Sequence, residues 1–295
     1  MQYNEECMAC LVNSQARMCK GLGTEEDRME FMRDVFRSFS DVPAGVAAPW
    51  FIPKFTEAFQ RHFGIGDPYR EIKEKANRLS LAMLPELEKY VRQAEDPLLA
   101  AMKVSRAGNF LDFAVLTEEQ IEKGLSAAVP ADLESPLDST EYRHFTEELE
   151  TARSLVILGD NAGEIVFDTV LVRELKKRYP SLRITYVVRG GNAQNDATMA
   201  DAEVSGMCGL VRVIGNGSSI PGTELGYISE ELKTCLNSAD LILSKGQANF
   251  ETLGTCGLNI YYMFLCKCPK FAKRFGVPPM TGMFVNDRRN QKFKV

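Results

Sequence analysis

The sequence has little histidine, no excess of positive charge and no apolar run long enough to cross a membrane. Its histidines, His62 and His144, lie outside the motifs described below, and we expect neither to act as a catalytic base. The formal net charge of -5 gives no support to a basic nucleic-acid-binding face. Neither a nucleic acid nor a membrane is therefore expected as a partner.

The N-terminal residues also lack the apolar core of a secretory signal. We therefore expect a cytoplasmic protein whose eight cysteines are reduced thiols. Cys7 and Cys10 form a C-x-x-C motif, which together with Cys19, Cys266 and Cys268 would be able to bind a structural zinc ion. A single such motif is weak evidence, and ordinary buried thiols are the preferred interpretation.

The two halves of the chain differ in their apolar patterns. Up to about residue 150 the apolar residues recur at helical spacing, and Gly, Pro and Asp separate the predicted helices. Beyond it, helices alternate with short apolar segments, which are SLVIL, RITYVV, LVRVI, ADLILS and NIYYMFL. This alternation indicates a parallel sheet covered on both faces. We predict a Rossmann-like three-layer α/β/α domain with a mainly parallel sheet over residues 151–295, and a helical region over residues 1–150 that covers the active site.

Polar turns follow four of the predicted strands, at the edge where ligands bind in open parallel sheets. These turns are Gly159–Gly163, Arg189–Asn192, Gly215–Ser219 and Lys245–Asn249. One turn of this kind is more often a simple turn or a helix cap. Four of them on one edge favour a binding site.

Three side chains in or a few residues after these turns suit a divalent metal ion. Asp160 and Asp196 offer hard carboxylate oxygens, and Asn161 adds an amide oxygen, a set that suits Mg²⁺, Mn²⁺ or a similar ion. Lys245 and the backbone N–H groups of the glycine turns suit phosphate oxygens. The sequence therefore predicts a metal site beside a phosphate-binding turn.

Three motifs carry a family resemblance: GDNAGEIVFD, VVRGGNAQNDATMAD and SKGQANFETL, in this order along the chain. Together they resemble the DUF89 family of ARMT1-like, metal-dependent damage-control phosphatases, and the C-x-x-C motif resembles that of its prokaryotic branch. The resemblance implies that Asp160, Asn161 and Asp196 hold the metal and that Lys245 contacts the phosphate. It also implies hydrolysis of phosphate monoesters of small metabolites, such as sugar phosphates or damaged phosphometabolites, with Mn²⁺, Co²⁺, Ni²⁺ or Mg²⁺.

The expected chemistry is metal-assisted phosphate hydrolysis, in which the ion polarises a phosphoryl oxygen and activates a water. Lys245 and the N–H groups of Gly190 and Gly191 would stabilise negative charge on the phosphoryl oxygens. Asn249, in the same turn as Lys245, is assigned to substrate binding.

A polar stripe interrupts the apolar stretch AAMKVSRAGNFLDFAVL. Ser105, Asn109 and Asp112 share one face of the predicted helix because they are three or four residues apart. A solvated stripe and a functional face are equally good interpretations, and the family resemblance favours Asn109 as a contact to the substrate or to a metal-bound water, with Ser105 beside it as a substrate-binding residue. Asp168 and Asp201 are expected to lie outside the metal ligands.

Other function classes stay open at this point. The VILGDNAGE turn loosely resembles a loop that binds S-adenosylmethionine, although the chain has no G-x-G-x-x-G motif, so a methyltransferase is the main alternative. A non-catalytic protein that binds phosphorylated metabolites is another, because fold alone does not imply catalysis. A chelator separates these classes, since only the phosphatase must lose turnover of a simple phosphate ester.

Overall fold

The computed structural model describes residues 1–111, 129–254 and 256–289. The first half is helical where it is described. Its α-helices are α1 Glu5–Met18, α2 Glu25–Arg37, α3 Ile52–Phe63, α4 Arg70–Gln93, α5 Pro97–Ala107 and α6 Ser139–Leu149. Short 3-10 helices at Ala48–Phe51 and Gly108–Leu111 precede α3 and follow α5. Asp112 of the polar stripe lies outside the described residues.

The second half alternates strands and helices, as the sequence predicted. Its strands are β1 Ser154–Leu158, β2 Arg183–Val188, β3 Arg212–Gly215, β4 Leu241–Lys245, β5 Ile260–Cys266 and β6 Thr281–Asn286. Its α-helices are α7 Glu164–Arg178, α8 Met199–Val204, α9 Glu230–Ser238, α10 Gln247–Leu253 and α11 Pro269–Phe275. The strands form one six-stranded sheet in the order β3-β2-β1-β4-β5-β6. Neighbouring strands are parallel, except that β6 runs antiparallel to β5.

Apolar side chains cover both faces of this sheet, which is why its central strands are apolar almost throughout. Leu155 and Ile157 of β1 face a core built with α4, α5, α6 and α7. Val156 and Leu158 of the same strand face a second core, built with α9, α10 and α11. The three-layer α/β/α architecture with a mainly parallel sheet is thereby confirmed.

The helical first half contributes to two different cores. Helices α4 to α6 pack on the sheet and form part of one helical layer. Helices α1 to α3 and the 3-10 helix Ala48–Phe51 build a separate aromatic cluster around Phe31, Phe51, Phe55 and Phe59, which also includes Ile220 from the turn region after β3. The division into units of residues 1–150 and 151–295 stays a prediction.

Some elements differ from the sequence prediction. The predicted strands SLVIL and RITYVV match β1 and β2, while β3 to β5 are displaced by one or two residues. Helices α1 and α11 and the edge strand β6 were not predicted, and residues 129–134 form helical turns where a loop was predicted. Among the described helices, none is both long enough and apolar enough to cross a membrane.

Candidate active site

The predicted metal-binding side chains meet where the strand order of the sheet reverses. The chain leaves β1 toward β2 on one side, and it leaves β4 toward β5 on the other side. In an open parallel sheet this point forms a crevice beyond the carboxyl ends of the strands. Asp160 and Asn161 follow β1 there, and Lys245 ends β4. The side chains of all three residues are buried.

Two amides and two carboxylates form a closed ring of hydrogen bonds at this point. The Asn161 Nδ2 atom donates to Asp160 Oδ2 at 2.7 Å and to Glu164 Oε2 at 3.0 Å. The Asn109 Nδ2 atom donates to the same two oxygens, at 3.0 Å and 2.8 Å. The ring leaves Oδ1 of Asp160 and Oδ1 of Asn161 outside it. Asn109 therefore lies at the predicted site, bound to Asp160 and Glu164.

Asp196 reaches the same point from the turn after β2. Its backbone pairs with that of Asn161 in an isolated antiparallel bridge, which joins the two turns. The Arg189 Nε atom lies 2.5 Å from Asp196 Oδ2, and Arg189 Nη2 donates to the Gly159 carbonyl at 3.1 Å. Asn195 Nδ2 donates to Asn161 Oδ1 at 2.8 Å. The structure thus brings together all three predicted metal ligands.

Lys245 lies beneath the ring and is fully buried. Its Nζ atom is 2.6 Å from Asp168 Oδ1, 2.7 Å from Glu164 Oε1 and 3.0 Å from the Ser105 carbonyl oxygen. The Ser105 hydroxyl also donates to Asp168 Oδ1, and the Tyr186 hydroxyl donates to Asp168 Oδ2 at 2.7 Å. Lys245 and Ser105, both assigned to the substrate by the sequence, therefore have carboxylate partners here.

The electrostatics of the site follow from burial and from crowding of like charges. Burial raises the pKa of Asp160 well above its ordinary value, and the Asp196 and Glu164 carboxylates raise it further. Burial likewise raises the pKa of Asp168, although Lys245 opposes the effect. Burial alone would lower the pKa of Lys245, but the Asp168 and Glu164 carboxylates outweigh it and the pKa is raised.

The donor set fits a divalent cation in charge and in chemistry. The buried carboxylates at this edge outnumber the buried cations; they are Asp160, Glu164, Asp168 and Asp196 against Arg189 and Lys245. Arg189 pairs with Asp196, and Lys245 pairs with Glu164 and Asp168, so within the described residues Asp160 has no cationic partner at ion-pair distance. A buried carboxylate of this kind normally pairs with a cation or binds a metal. The described residues contain no group of three or more His, Cys, Asp or Glu side chains arranged for a metal, and the predicted set adds the amide oxygen of Asn161 to the carboxylates of Asp160 and Asp196.

The remaining predicted substrate contacts are held by backbone and side-chain groups of the turns. Asn249 is buried, and its Nδ2 atom donates to the Gly159 carbonyl at 3.0 Å and to the Lys245 carbonyl at 2.8 Å. The Gly190 N–H group donates to Asn216 Oδ1 at 2.8 Å and to the Ser218 carbonyl at 3.0 Å. Gly191 is half-buried beside this turn. Asn249 and Gly190 thus shape the edge of the site in this structure.

Helix α4 supports the turn after β1, which carries Asp160 and Asn161, from outside the sheet. The Gly163 N–H group donates to Asn77 Oδ1 at 2.8 Å, and Asn77 Nδ2 donates to Asp201 Oδ1 at 2.8 Å. Lys73 pairs with Asp201 at 2.8 Å. Asp201 also accepts hydrogen bonds from Thr198 in the capping box that begins α8. Both turns that carry predicted metal ligands are therefore bound to one helix of the first half.

Several residues of the site were not predicted from the sequence. Glu164 lies four residues after Asp160. The sequence signal available for it was its position in the first turn of α7, where the helix dipole favours acidic residues. Arg189 directly follows β2, and the sequence pattern alone marks it only as a turn residue. Asn77 has no local signal, because it lies on a long helix far away in the sequence.

The cysteine motif lies on α1. Cys7 is half-buried and Cys10 is exposed. The absence of a three-residue metal-binding group among the described side chains gives the zinc interpretation no support.

The fold and this edge define an α/β enzyme with an acidic, oxygen-rich centre at the switch point of its sheet. Residues 3–281 match the damage-control phosphatase ARMT1-like domain, and the chain belongs to that family. A damage-control phosphatase of Archaeoglobus fulgidus is 33% identical over 284 residues, which cover 94% of this chain and 96% of that protein. A damage-control phosphatase of Pyrococcus horikoshii is 28% identical over 294 residues, which cover 94% of this chain and 96% of that protein.

The fold comparison agrees with the family assignment. The crystal structure of a DUF89 family protein from Pyrococcus horikoshii has a TM-score of 0.82 and 26% sequence identity, and the match covers 97% of this chain and 99% of that chain. These likenesses confirm the predicted family and the predicted phosphatase class. They do not favour the methyltransferase alternative. Membership of this family also implies a metal-dependent enzyme that acts on a phosphorylated small molecule.

Proposed function

We propose that this phosphatase hydrolyses phosphate monoesters of small metabolites, with a divalent ion held by Asp160, Asn161 and Asp196. One observation carries the proposal. Asp160 is a buried carboxylate with no cation of the described residues at ion-pair distance, and burial with the Asp196 and Glu164 carboxylates raises its pKa although Lys267 and Arg189 oppose the effect. A divalent cation at this point would offset both the burial and the repulsion.

The oxygen atoms outside the hydrogen-bond ring would bind the ion. Oδ1 of Asp160 and Oδ1 of Asn161 lie outside the ring, and Arg189 holds Oδ2 of Asp196. Carboxylate and amide oxygens suit Mn²⁺, Mg²⁺, Co²⁺ or Ni²⁺ as the native ion. When bound, such an ion supplies Lewis-acid chemistry toward phosphoryl oxygens.

The chain itself would orient the substrate and exclude water. Both turns are fixed by buried hydrogen bonds, so the ligands keep their geometry before the ion or the substrate arrives. Such preorganisation stabilises developing charge without reorganisation during the reaction. Sugar phosphates and damaged phosphometabolites are the substrate classes that we propose.

Of the phosphate and substrate contacts expected from the sequence, Lys245 and Gly190 would have to exchange their present partners. Lys245 would reach a phosphate only by exchanging Glu164 or Asp168 for a phosphoryl oxygen, because both carboxylates contact its ammonium group. The Gly190 N–H group would have to leave Asn216 and Ser218. Gly191, Asn109, Asn249 and Ser105 complete the proposed substrate-binding set.

A matched pair of aspartate variants tests the assignment. Asp196 and Asp201 are buried to the same extent, at 4% and 5% exposure, and follow the same strand, but only Asp196 is a proposed ligand. We expect Asp196→Asn to lose Mn²⁺ binding and turnover of a simple phosphate ester, and Asp201→Asn to keep both at temperatures where it is folded. A screen of phosphorylated metabolites with Mn²⁺, Co²⁺, Ni²⁺ and Mg²⁺ then identifies the substrate. Turnover that survives a chelator, or survives in Asp196→Asn, would overturn the proposed metal site.

A further inference from the structure

Glu164 is a buried acid to which the proposed reaction gives no role. Its side chain is fully buried in the first turn of α7. It packs closely under Gly108, where an added Cβ would lie 3.0 Å from Glu164 Cγ and 3.2 Å from Glu164 Cα. This confinement leaves the carboxylate little freedom to turn, so its hydrogen bonds define a fixed geometry.

The two oxygens of Glu164 have different partners. Oε2 accepts from the Asn109 Nδ2 atom at 2.8 Å and from the Asn161 Nδ2 atom at 3.0 Å. Oε1 lies 2.7 Å from Lys245 Nζ. Oε2 therefore bonds to the amides of the ring, and Oε1 contacts the buried ammonium group of Lys245.

This division decides which way the Asn161 amide points. The oxygen and the NH₂ group of an asparagine have nearly the same shape, so only hydrogen-bond partners choose between the two orientations. An ionised carboxylate accepts and never donates, so Asp160 and Glu164 in this form together hold the Asn161 nitrogen inward. The Asn161 oxygen is then turned outward, where Asn195 Nδ2 donates to it at 2.8 Å. Only this orientation offers a metal ion an oxygen atom.

We propose that Glu164 is a positioning residue for the metal site, which fixes the Asn161 amide with its oxygen toward the ion and is itself held by Lys245. The inference rests on the proposed function, because it assigns Asn161 as a ligand. Groups that orient metal ligands are worth about 10–100-fold in metal affinity.

Asp168 provides a matched control. Like Glu164, it is a fully buried carboxylate on α7 that contacts Lys245, at 2.6 Å. Unlike Glu164, its remaining partners are the hydroxyls of Ser105 and Tyr186, and it has no bond to the ring amides. Glu164→Gln and Asp168→Asn therefore remove the same charge from the same cation, but only the first disturbs Asn161. A glutamine would have to face its NH₂ group either toward the ring amides or toward Lys245, and both choices bring donors together.

The experiment measures the solvent exchange of the Asn161 side-chain amide protons without metal, and the affinity for Mn²⁺ by titration. In the metal-free parent, NMR should show slow solvent exchange for both side-chain amide protons of Asn161, and the same in Asp168→Asn. In Glu164→Gln at least one of these protons should exchange fast. By calorimetric titration, Glu164→Gln should bind Mn²⁺ about 10–100-fold more weakly than the parent, while Asp168→Asn stays close to the parent.

The outcomes separate the two ideas. If the parent and Asp168→Asn bind Mn²⁺ and Glu164→Gln binds it as tightly, the positioning role is wrong and the metal site stands. If the parent binds no Mn²⁺ that depends on Asp160, both the metal site and the positioning role are wrong. If Glu164→Gln does not fold, the parent decides: slow exchange of the Asn161 amide protons supports the role, and fast exchange overturns it.

Discussion

The Cα atom of Gly246 lies directly against the carboxyl group of Asp160. A Cβ atom built on Gly246 would lie 2.0 Å from Asp160 Cγ, which no side chain tolerates. The Gly246 backbone has φ 77° and ψ 159°, a region that is essentially restricted to glycine. The turn after β4 and the turn after β1 therefore meet without a side chain between them, and this close contact places the Asp160 carboxylate at the switch point.

Gly246→Ala should consequently damage both stability and metal binding. Backbone strain and the clash with Asp160 together should lower the free energy of unfolding by about 2–5 kcal/mol. The displaced carboxylate should also abolish the rise in melting temperature on addition of Mn²⁺. Chemical denaturation in a chelator and thermal melting with Mn²⁺ measure the two effects.

Gly206→Ala is the control for that variant. Gly206 has a similar φ of 79°, but nothing lies within 4 Å of an added Cβ. It should lose only the strain, about 1–2 kcal/mol, and keep its Mn²⁺-dependent stabilisation. If both variants lost the same stability and kept the same Mn²⁺-dependent rise in melting temperature, the contact between Gly246 and Asp160 would have no effect on either property.

The support from α4 gives a second prediction. Asn77→Ala leaves the Gly163 N–H group and the Asp201 carboxylate without their buried partner, which should lower stability by about 1–3 kcal/mol. Because Gly163 follows Asn161 by two residues, Mn²⁺ affinity should fall as well. Ser80→Ala is the control: Ser80 is buried on the same helix, and its hydroxyl has no hydrogen-bond partner in the described part of the chain. Ser80→Ala should be as stable as the parent or slightly more stable. Denaturation curves in which Ser80→Ala is less stable than Asn77→Ala would refute this account.

A variant of Lys245 distinguishes two roles for this residue. The sequence predicts that it binds phosphate, whereas in the structure it pairs with Glu164 and Asp168. Lys245→Met removes the positive charge and leaves the buried Glu164 and Asp168 carboxylates without their cationic partner. This should lower the free energy of unfolding by about 3–5 kcal/mol at neutral pH. Lys73→Met removes another buried ion pair, with Asp201, and should keep turnover at temperatures where it is folded. A Lys245→Met protein as stable as the parent but inactive would instead favour a lysine that serves the phosphate alone. Urea denaturation and phosphate-ester assays on both variants decide.

The location of the site was predictable because it follows from local pattern. Strands β1 and β2 are mainly apolar and end in polar turns, so Asp160 and Asp196 were expected to share one edge of a parallel sheet. The partners of Lys245 were not predictable, since Asp168 and Ser105 are 77 and 140 residues away in the sequence. A lysine after a strand looks the same whether it meets a phosphate or a buried carboxylate, and only tertiary packing distinguishes the two cases.

The last prediction concerns why Asp160 is an aspartate. Asparagine can offer the same acceptor oxygen to the Asn109 and Asn161 amides, so Asp160→Asn should keep the hydrogen-bond ring. It cannot supply the negative charge that a divalent ion needs. We therefore expect a folded protein that Mn²⁺ does not stabilise and that has almost no phosphatase activity, checked by thermal melting with and without metal and by phosphate-ester turnover.

The pH dependence of stability in the metal-free protein is a second test of the buried charge of Asp160. Burial, with the Asp196 and Glu164 carboxylates, raises the pKa of Asp160 in the folded state above its unfolded value. The folded state then binds the Asp160 proton more tightly, so in chelator the contribution of Asp160 to the parent's stability should rise as the pH falls from neutral through that raised pKa. Asp160→Asn lacks this titration, and at neutral pH it should melt at the same temperature as the parent or higher. Its advantage should shrink as the pH falls, because protonation relieves the parent of the same buried charge. A variant that melts below the parent at neutral pH in chelator, and still gains stability from Mn²⁺, would show that Asp160 only shapes the turn.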